Sequence, residues 1–176
     1  MDWRFIFIQI LGILAWLLLI LSYYRKDTNR ILAFQIMGTI LYCIHYWLLG
    51  AWSGLFICFF ETLFDYGYYK TNKDKFIYIV SIPIRIIGGL VGFKSLIDIL
   101  PIIASLIDGY TLTKNKKIVV IGAIISYGMW VIYDIFVRSY SGAITDGLIV
   151  VSNLFILLFN FNILNHNDKS GNAITR

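Results

Sequence analysis

Two carboxylates stand inside an apolar run where hydrocarbon is expected on both sides. In FFETLFDYGYYK, residues 59–70, Glu61 and Asp65 are one helical turn apart and share a face. A third ionisable group, Arg85, lies in the next apolar run. A charge near the centre of a bilayer costs roughly 2.5–3.5 kcal/mol on insertion scales, so such a group is paired, neutralised or turned toward a wet cavity. Two chemistries fit. One is an intramembrane ion pair of Arg85 with Glu61, Asp65 or both. The other is a carboxylate facing a solute path, where it binds a cationic group or a proton.

Further along, Asp146 and Asn153 fall with Ile149 and Val150 on one face of a helix, a polar strip expected to turn inward. Asp134 falls near the end of its run, where water is close, and is expected at a hydrated interface. YCIHYW (42–47) and YGMWVIY (127–133) bring aromatic residues together. Some suit an interfacial belt, as Trp47 does. Tyr42, Tyr127 and Trp130 lie deeper and are candidates to line a solute site with Glu61, Asp146 and Asn153. His45, one turn from the outer edge, reads as a satisfied interfacial histidine rather than a proton relay. With His45 and His166 as the histidines, and Cys43 and Cys58 as small apolar residues, the sequence offers no metal site. It calls for no cofactor. No nucleophile–base set stands near an interface, so no catalytic residue is expected, and a lipid-acting enzyme is the least favoured class. No phosphate-binding loop occurs, which excludes a nucleotide-driven pump.

The elements that must position these groups follow from composition. Hydrophobic residues make up 59% of the 176 residues, charged residues 14%, and mean hydropathy is +0.78. A soluble domain is about 45–50% apolar and about 25% charged. The chain is therefore expected to be an all-α polytopic membrane protein in contact with the lipid bilayer. Seven runs approach membrane-spanning length, near 4–24, 30–49, 52–70, 76–93, 96–113, 117–137 and 141–162. Pro83 and Pro101 are expected to break the fourth and fifth, and Gly88, Gly89 and Gly92 to form a close-packing face on the fourth. The tail, NHNDKSGNAITR, reads as disordered.

Basic residues fix the orientation. Arg25, Lys26, Arg30, Lys70, Lys73, Lys75, Lys114, Lys116, Lys117, Lys169 and Arg176 fall on one side, against Arg4, Lys94 and Arg138 on the other. The richer side is cytoplasmic, which places the N-terminus outside and the C-terminus inside. The net charge of +5 is accounted for by this asymmetry and does not imply nucleic acid.

An internal repeat sets 29–54 against 116–142. Arg30 meets Lys117, Tyr46 meets Tyr133, and, with one residue added in the second copy, Ser53-Gly54 meets Ser141-Gly142. The repeat predicts a 3+1+3 plan of two parallel bundles, residues 1–72 and 96–163, joined by a reversing helix at 73–95, with a tail at 164–176.

HYWLLGAWSG (45–54), LPIIAS (100–105) and WVIYDIFVRSYSGAITDGLIVVSN (130–153) together resemble the YgjV family of bacterial inner-membrane proteins. The resemblance covers most of the chain and implies a multi-pass protein of the bacterial inner membrane. The layout is similar to that of SWEET, PQ-loop and PnuC-type transporters. It departs from them in lacking the Pro-Gln dipeptide, in placing Leu14 opposite Pro101, and in carrying Glu61 and Phe64 where an amide and a basic residue would stand.

The functional expectation is a small-solute transporter or facilitator, passive or proton-coupled through Glu61 or Asp146, with a midplane site between the halves. Its partner would be a small polar or aromatic solute, with a homo-oligomer as a further expectation. The alternative is a non-transporting structural or scaffold protein of the inner membrane.

Overall fold

The computed structural model describes residues 3–23, 28–71, 74–111 and 113–159, apart from some side chains, among them those of Asp65 and 68–77. The basic turns at 24–27 and 72–73 and the tail from 160 lie outside the described residues, as do the side-chain expectations for Asp65. Among the described residues the chain is all-helical. The order is α1 (Trp3–Tyr23), α2 (Thr28–Leu49), α3 (Trp52–Thr71), α4 (Asp74–Val91), a short 3-10 turn (Leu96–Asp98), α5 (Ile99–Thr111), α6 (Lys116–Phe136) and α7 (Tyr140–Phe159). Three of these, α1, α6 and α7, are long and apolar enough to cross a membrane. Shorter apolar stretches occupy Ala33–Leu49, Trp52–Phe64 and Tyr78–Val91.

Each helix from α1 to α7 packs on the next, and α1 also packs on α7. Helix α3 reaches past α4 to touch α5. Helix α4 thus sits against α3 and α5, and Gly88 and Gly89 within it, with Gly92 just past its end, allow the approach. An added Cβ would stand 2.7 Å from the Phe60 ring at Gly88, would strike Ile102 at Gly89, and would strike the backbone of Trp52 and Ser53 at Gly92.

Proline has two different effects here. Pro83 lies inside α4, which runs unbroken from Asp74 to Val91, so the expected break of the fourth run does not occur, whereas Pro101 lies in the first turn of α5, fully buried. A first-turn amide has no intrahelical acceptor, so proline costs nothing there and begins the helix rather than breaking it. The expected break of the fifth run is therefore a start. The Asp98 carboxylate holds the preceding turn, accepting from the backbone N–H of Lys94 (2.9 Å) and of Ser95 (2.7 Å).

The α2–α3 and α6–α7 turns are built alike. Gly50 and Arg138 both take the left-handed conformation, φ 72° and φ 62°. Ala51 N–H donates to Tyr46 O (2.9 Å), and Ser139 N–H donates to Asp134 O (2.8 Å). Gly50 N–H donates to Trp47 O, and Arg138 N–H to Ile135 O. Both helices end in the same left-handed cap. Helices α3 and α7, which follow these turns, each have 20 residues. This bonding pairs Tyr46 with Asp134, not with Tyr133. Matching like residue types misplaces the register by one, because the added residue of the second copy lies upstream of the turn.

Candidate functional site

The described polar residues gather at two depths. The first cluster lies at the end of the molecule carrying the two short turns. Tyr46, three residues from the end of α2, donates its hydroxyl to Asp134 Oδ1 (2.9 Å). Tyr133 Oη accepts from Gly54 N–H (2.9 Å). Gly54 is in the first turn of α3, so its amide has no acceptor within its own helix and needs one from outside. A Cβ on Gly54 would stand 2.8 Å from the Tyr133 ring, so glycine is what lets the phenol reach the backbone.

His45 is fully buried, with Nδ1 2.8 Å from Ile8 O and Nε2 2.9 Å from Ser139 Oγ. A carbonyl only accepts, so Nδ1 carries the proton. Gln9 on α1 completes the layer. Its amide N–H donates to Arg138 O (2.8 Å), and its Oε1 accepts from Ser141 N–H (2.9 Å). Ser53 Oγ donates to Asp98 O (3.0 Å). Apart from the bond between His45 and Ile8, each of these contacts joins α1–α3 to α5–α7. The rings of Tyr46 and Trp130 pack at 6.0 Å, those of Tyr46 and Tyr133 at 6.3 Å, and those of Trp130 and Tyr133 at 5.8 Å.

Asp134 is 0% exposed. The expectation of a hydrated interface is overturned: the α6–α7 turn, Tyr46 and Gly142 enclose the carboxyl, and water is excluded. A Cβ on Gly142 would strike Asp134 Oδ2.

The second cluster is deeper. At about 1.5 Å per residue, Tyr42, Trp130 and Asp146 lie about 10 Å from the short-turn ends of their helices, Glu61 and Tyr127 about 14 Å, and Asn153 about 20 Å. Tyr42 stacks on Tyr46 at 6.3 Å and faces Thr145 of α7. Asp146, half-buried, lies within electrostatic reach of both Glu61 and Asp134. Arg85 Nη1 is 3.7 Å from Glu61 Oε1 and also donates to Ser105 O. The Arg85 guanidinium stands 5.6 Å from the centroid of the Phe64 ring. Arg85 is 1% exposed and Glu61 25%, so the cation is enclosed by α3, α4 and α5 while the carboxylate keeps an open side.

The structure thus brings Tyr42 and Trp130 together around Tyr46, and Glu61 together with Arg85. Asn153 turns its amide to Ile149 O of its own helix (2.9 Å). Tyr127 is half-buried on α6. Sequence reasoning left Tyr46, Tyr133, Ser139 and Gln9 out of the site. The signal for the first two was present, a tyrosine just ahead of each tight turn. A lone Gln9 and a serine in a turn carry none.

The class these features define is a helical protein of the bacterial inner membrane: the described helices include three of spanning length and character, and the matching family description is that of a bacterial inner membrane protein. The match to Imp-YgjV extends over residues 6–161, and the chain belongs to that family. No curated protein and no solved structure matches it.

Proposed function

We propose that the protein is a small-solute transporter or facilitator of the inner membrane, passive or proton-coupled, in which two three-helix halves close on a site at midplane depth. The carrying observation is the contrast between the two clusters. At the short-turn end the halves are bolted together by the bonds of Tyr46, Tyr133, His45, Gln9 and Ser53. Below that layer, Asp146 and Glu61 remain half-buried carboxylates. A lipid-facing carboxylate would be expelled or paired on all sides, whereas one left partly open suits a wet path.

The 3+1+3 plan supports this reading. Contacts of α1 with α7 and of α3 with α5 are the two that a rotation about the bilayer normal would interchange. The like caps at Gly50 and Arg138 lie on the same pattern, and Tyr46 facing Asp134 puts equivalent positions against each other, as at a two-fold axis. Helix α4 supplies the reversing span. The basic residues put the short-turn end outside, so the bolted layer is an outer gate drawn shut. Tyr42, Trp130 and Tyr127 then flank the path above and beside Glu61 and Asp146, offering ring faces to an aromatic or polar solute.

His45, Ser139 and Asp134 are the residue types of a hydrolase, but their order is not that of one. The histidine's second nitrogen is held by a main-chain carbonyl, the carboxyl faces the serine side, and all three are fully buried. We read them as gate residues, not as a catalytic set.

The test is uptake into liposomes containing the purified protein, after a thermal-shift screen of vitamins, nucleosides and sugars. A stabilising solute should be taken up, and a disulfide between Gln9→Cys and Ser141→Cys, made in a protein lacking Cys43 and Cys58, should stop uptake until it is reduced. No stabilisation and no uptake across the screen would favour the scaffold alternative.

A further inference from the structure

The hydrogen-bond count around Asp134 does not close with an ionised carboxylate. Ile8 O fixes the His45 proton on Nδ1. In a neutral ring Nε2 is then an acceptor, so the Ser139 hydroxyl donates to it. That spends Ser139's only proton. Tyr46 satisfies Asp134 Oδ1, but Oδ2 is buried with no hydrogen-bond donor. Asp134 Oδ2 and Ser139 Oγ nevertheless border the same point, where a Cβ on Gly142 would stand. One added proton on Oδ2 resolves the deficit. With those two oxygens drawn to bonding distance, the acid donates to Ser139 Oγ, Ser139 donates to His45 Nε2, and His45 Nδ1–H donates to Ile8 O. Every donor meets an acceptor and no net charge is buried. With two added protons, both neighbours would donate to Ser139 and its own hydroxyl would have no acceptor along the chain. With none, a buried anion keeps an orphaned oxygen, the costliest kind of unsatisfied polar atom.

We propose that Asp134 is a proton-binding site of this protein, holding one proton at the head of the Asp134–Ser139–His45 chain while the short-turn end is closed. The alternative of an imidazolium and a carboxylate on either side of Ser139 buries two charges where one neutral chain suffices. The other titratable groups facing Asp134 are Tyr42 and Tyr46 on α2, Tyr133 on α6 and Asp146 on α7; none is a cation, the Tyr46 hydroxyl can donate to either form of the acid, and an ionised Asp146 would oppose a second negative charge. Glu61 on α3 reaches Asp146. Arg138 in the turn and Arg4 on α1 line a recess of about 320 Å³ at the rim rather than the chain. The hydrogen-bond chain calls for this proton whether or not the molecule carries a solute. It places the proton at Asp134, apart from Glu61 and Asp146.

The test uses the full chain in lipid nanodiscs, with His166→Asn leaving His45 as the only histidine. At neutral pH the infrared spectrum should show a protonated-carboxyl band that Asp134→Asn abolishes and that Glu61→Gln and Asp146→Asn retain. The nitrogen spectrum of His45 should show a proton on Nδ1 alone. Because the closed state holds a proton that the unfolded chain releases, wild-type Tm should fall as pH rises. Asp134→Asn, whose amide mimics the protonated acid, should flatten that dependence. An infrared carboxyl absorption left unchanged by Asp134→Asn, or a His45 protonated on both nitrogens, would overturn the proposal. Should Asp134→Asn fail to fold, the Glu61→Gln/Asp146→Asn double variant decides: a neutral His45 together with a carboxyl band that persists there upholds the assignment, and a missing band defeats it.

Discussion

Arg85 and Tyr133 show how differently two buried polar side chains contribute. Arg85 brings a full charge into the interior and is tolerated because Glu61 and Ser105 O face it. Arg85→Met should therefore cost stability near the lower end of the roughly 3–5 kcal/mol of a broken buried pair, since Glu61 is 25% exposed and water screens what is left. Thermal unfolding in detergent would show it, and Arg85→Met with Glu61→Gln should recover part of the loss. Tyr133 carries no charge, yet its oxygen is what Gly54 N–H has for an acceptor across the halves. Tyr133→Phe should cost about 1–3 kcal/mol by orphaning that amide, while leaving the ring packing on Trp130 in place. At this scale the sequence was partly readable. The depth of Glu61 and Arg85 could be counted from run boundaries. The burial of Asp134 could not, because nearness to a helix end says nothing about what the next turn folds over it.

The helices themselves were legible because hydrophobic length is a strong signal, and the observed bounds fall within about three residues of the runs wherever residues are described. Turns are less legible, because their conformation depends on one or two residues. Gly50 suits its left-handed φ, and Arg138 does not. Left-handed backbone costs a residue with a Cβ roughly 1–2 kcal/mol. Arg138→Gly should raise the unfolding temperature by relieving about that much, and Gly50→Ala should lower it by a like amount although no atom lies within 4 Å of the added methyl. Equal and opposite shifts would confirm that the two turns are one device used twice. Gly92→Ala belongs to a different mechanism. Its Cβ would meet the Trp52–Ser53 backbone, which cannot rotate away, so α4 must shift from α3.

For the whole molecule, the charge asymmetry makes a direct prediction of topology. A fluorescent-protein fusion at the C-terminus should glow in cells, and alkaline phosphatase at the same position should be inactive. The opposite pair of results would reverse the direction of the proposed gate while leaving its bonds unchanged. The likeness of the α2–α3 and α6–α7 turns was visible in the sequence because basic turn, span and Ser-Gly corner recur in order. Its register was not, because like residue types aligned more readily than like hydrogen bonds.

In the proposed 3+1+3 plan the halves are also unequal in height. Helix α5 has 13 residues where α1 has 21. At about 1.5 Å per residue α5 rises about 20 Å, against roughly 30 Å of hydrocarbon. If α5 crosses the bilayer as that plan has it, the acyl chains beside it must compress, or the molecule must lean toward its shorter side. Membrane thickness then becomes an input to the protein: short-chain lipids relax the dimple and long-chain lipids load it, so the grip of one half on the other should vary with the lipid supplied.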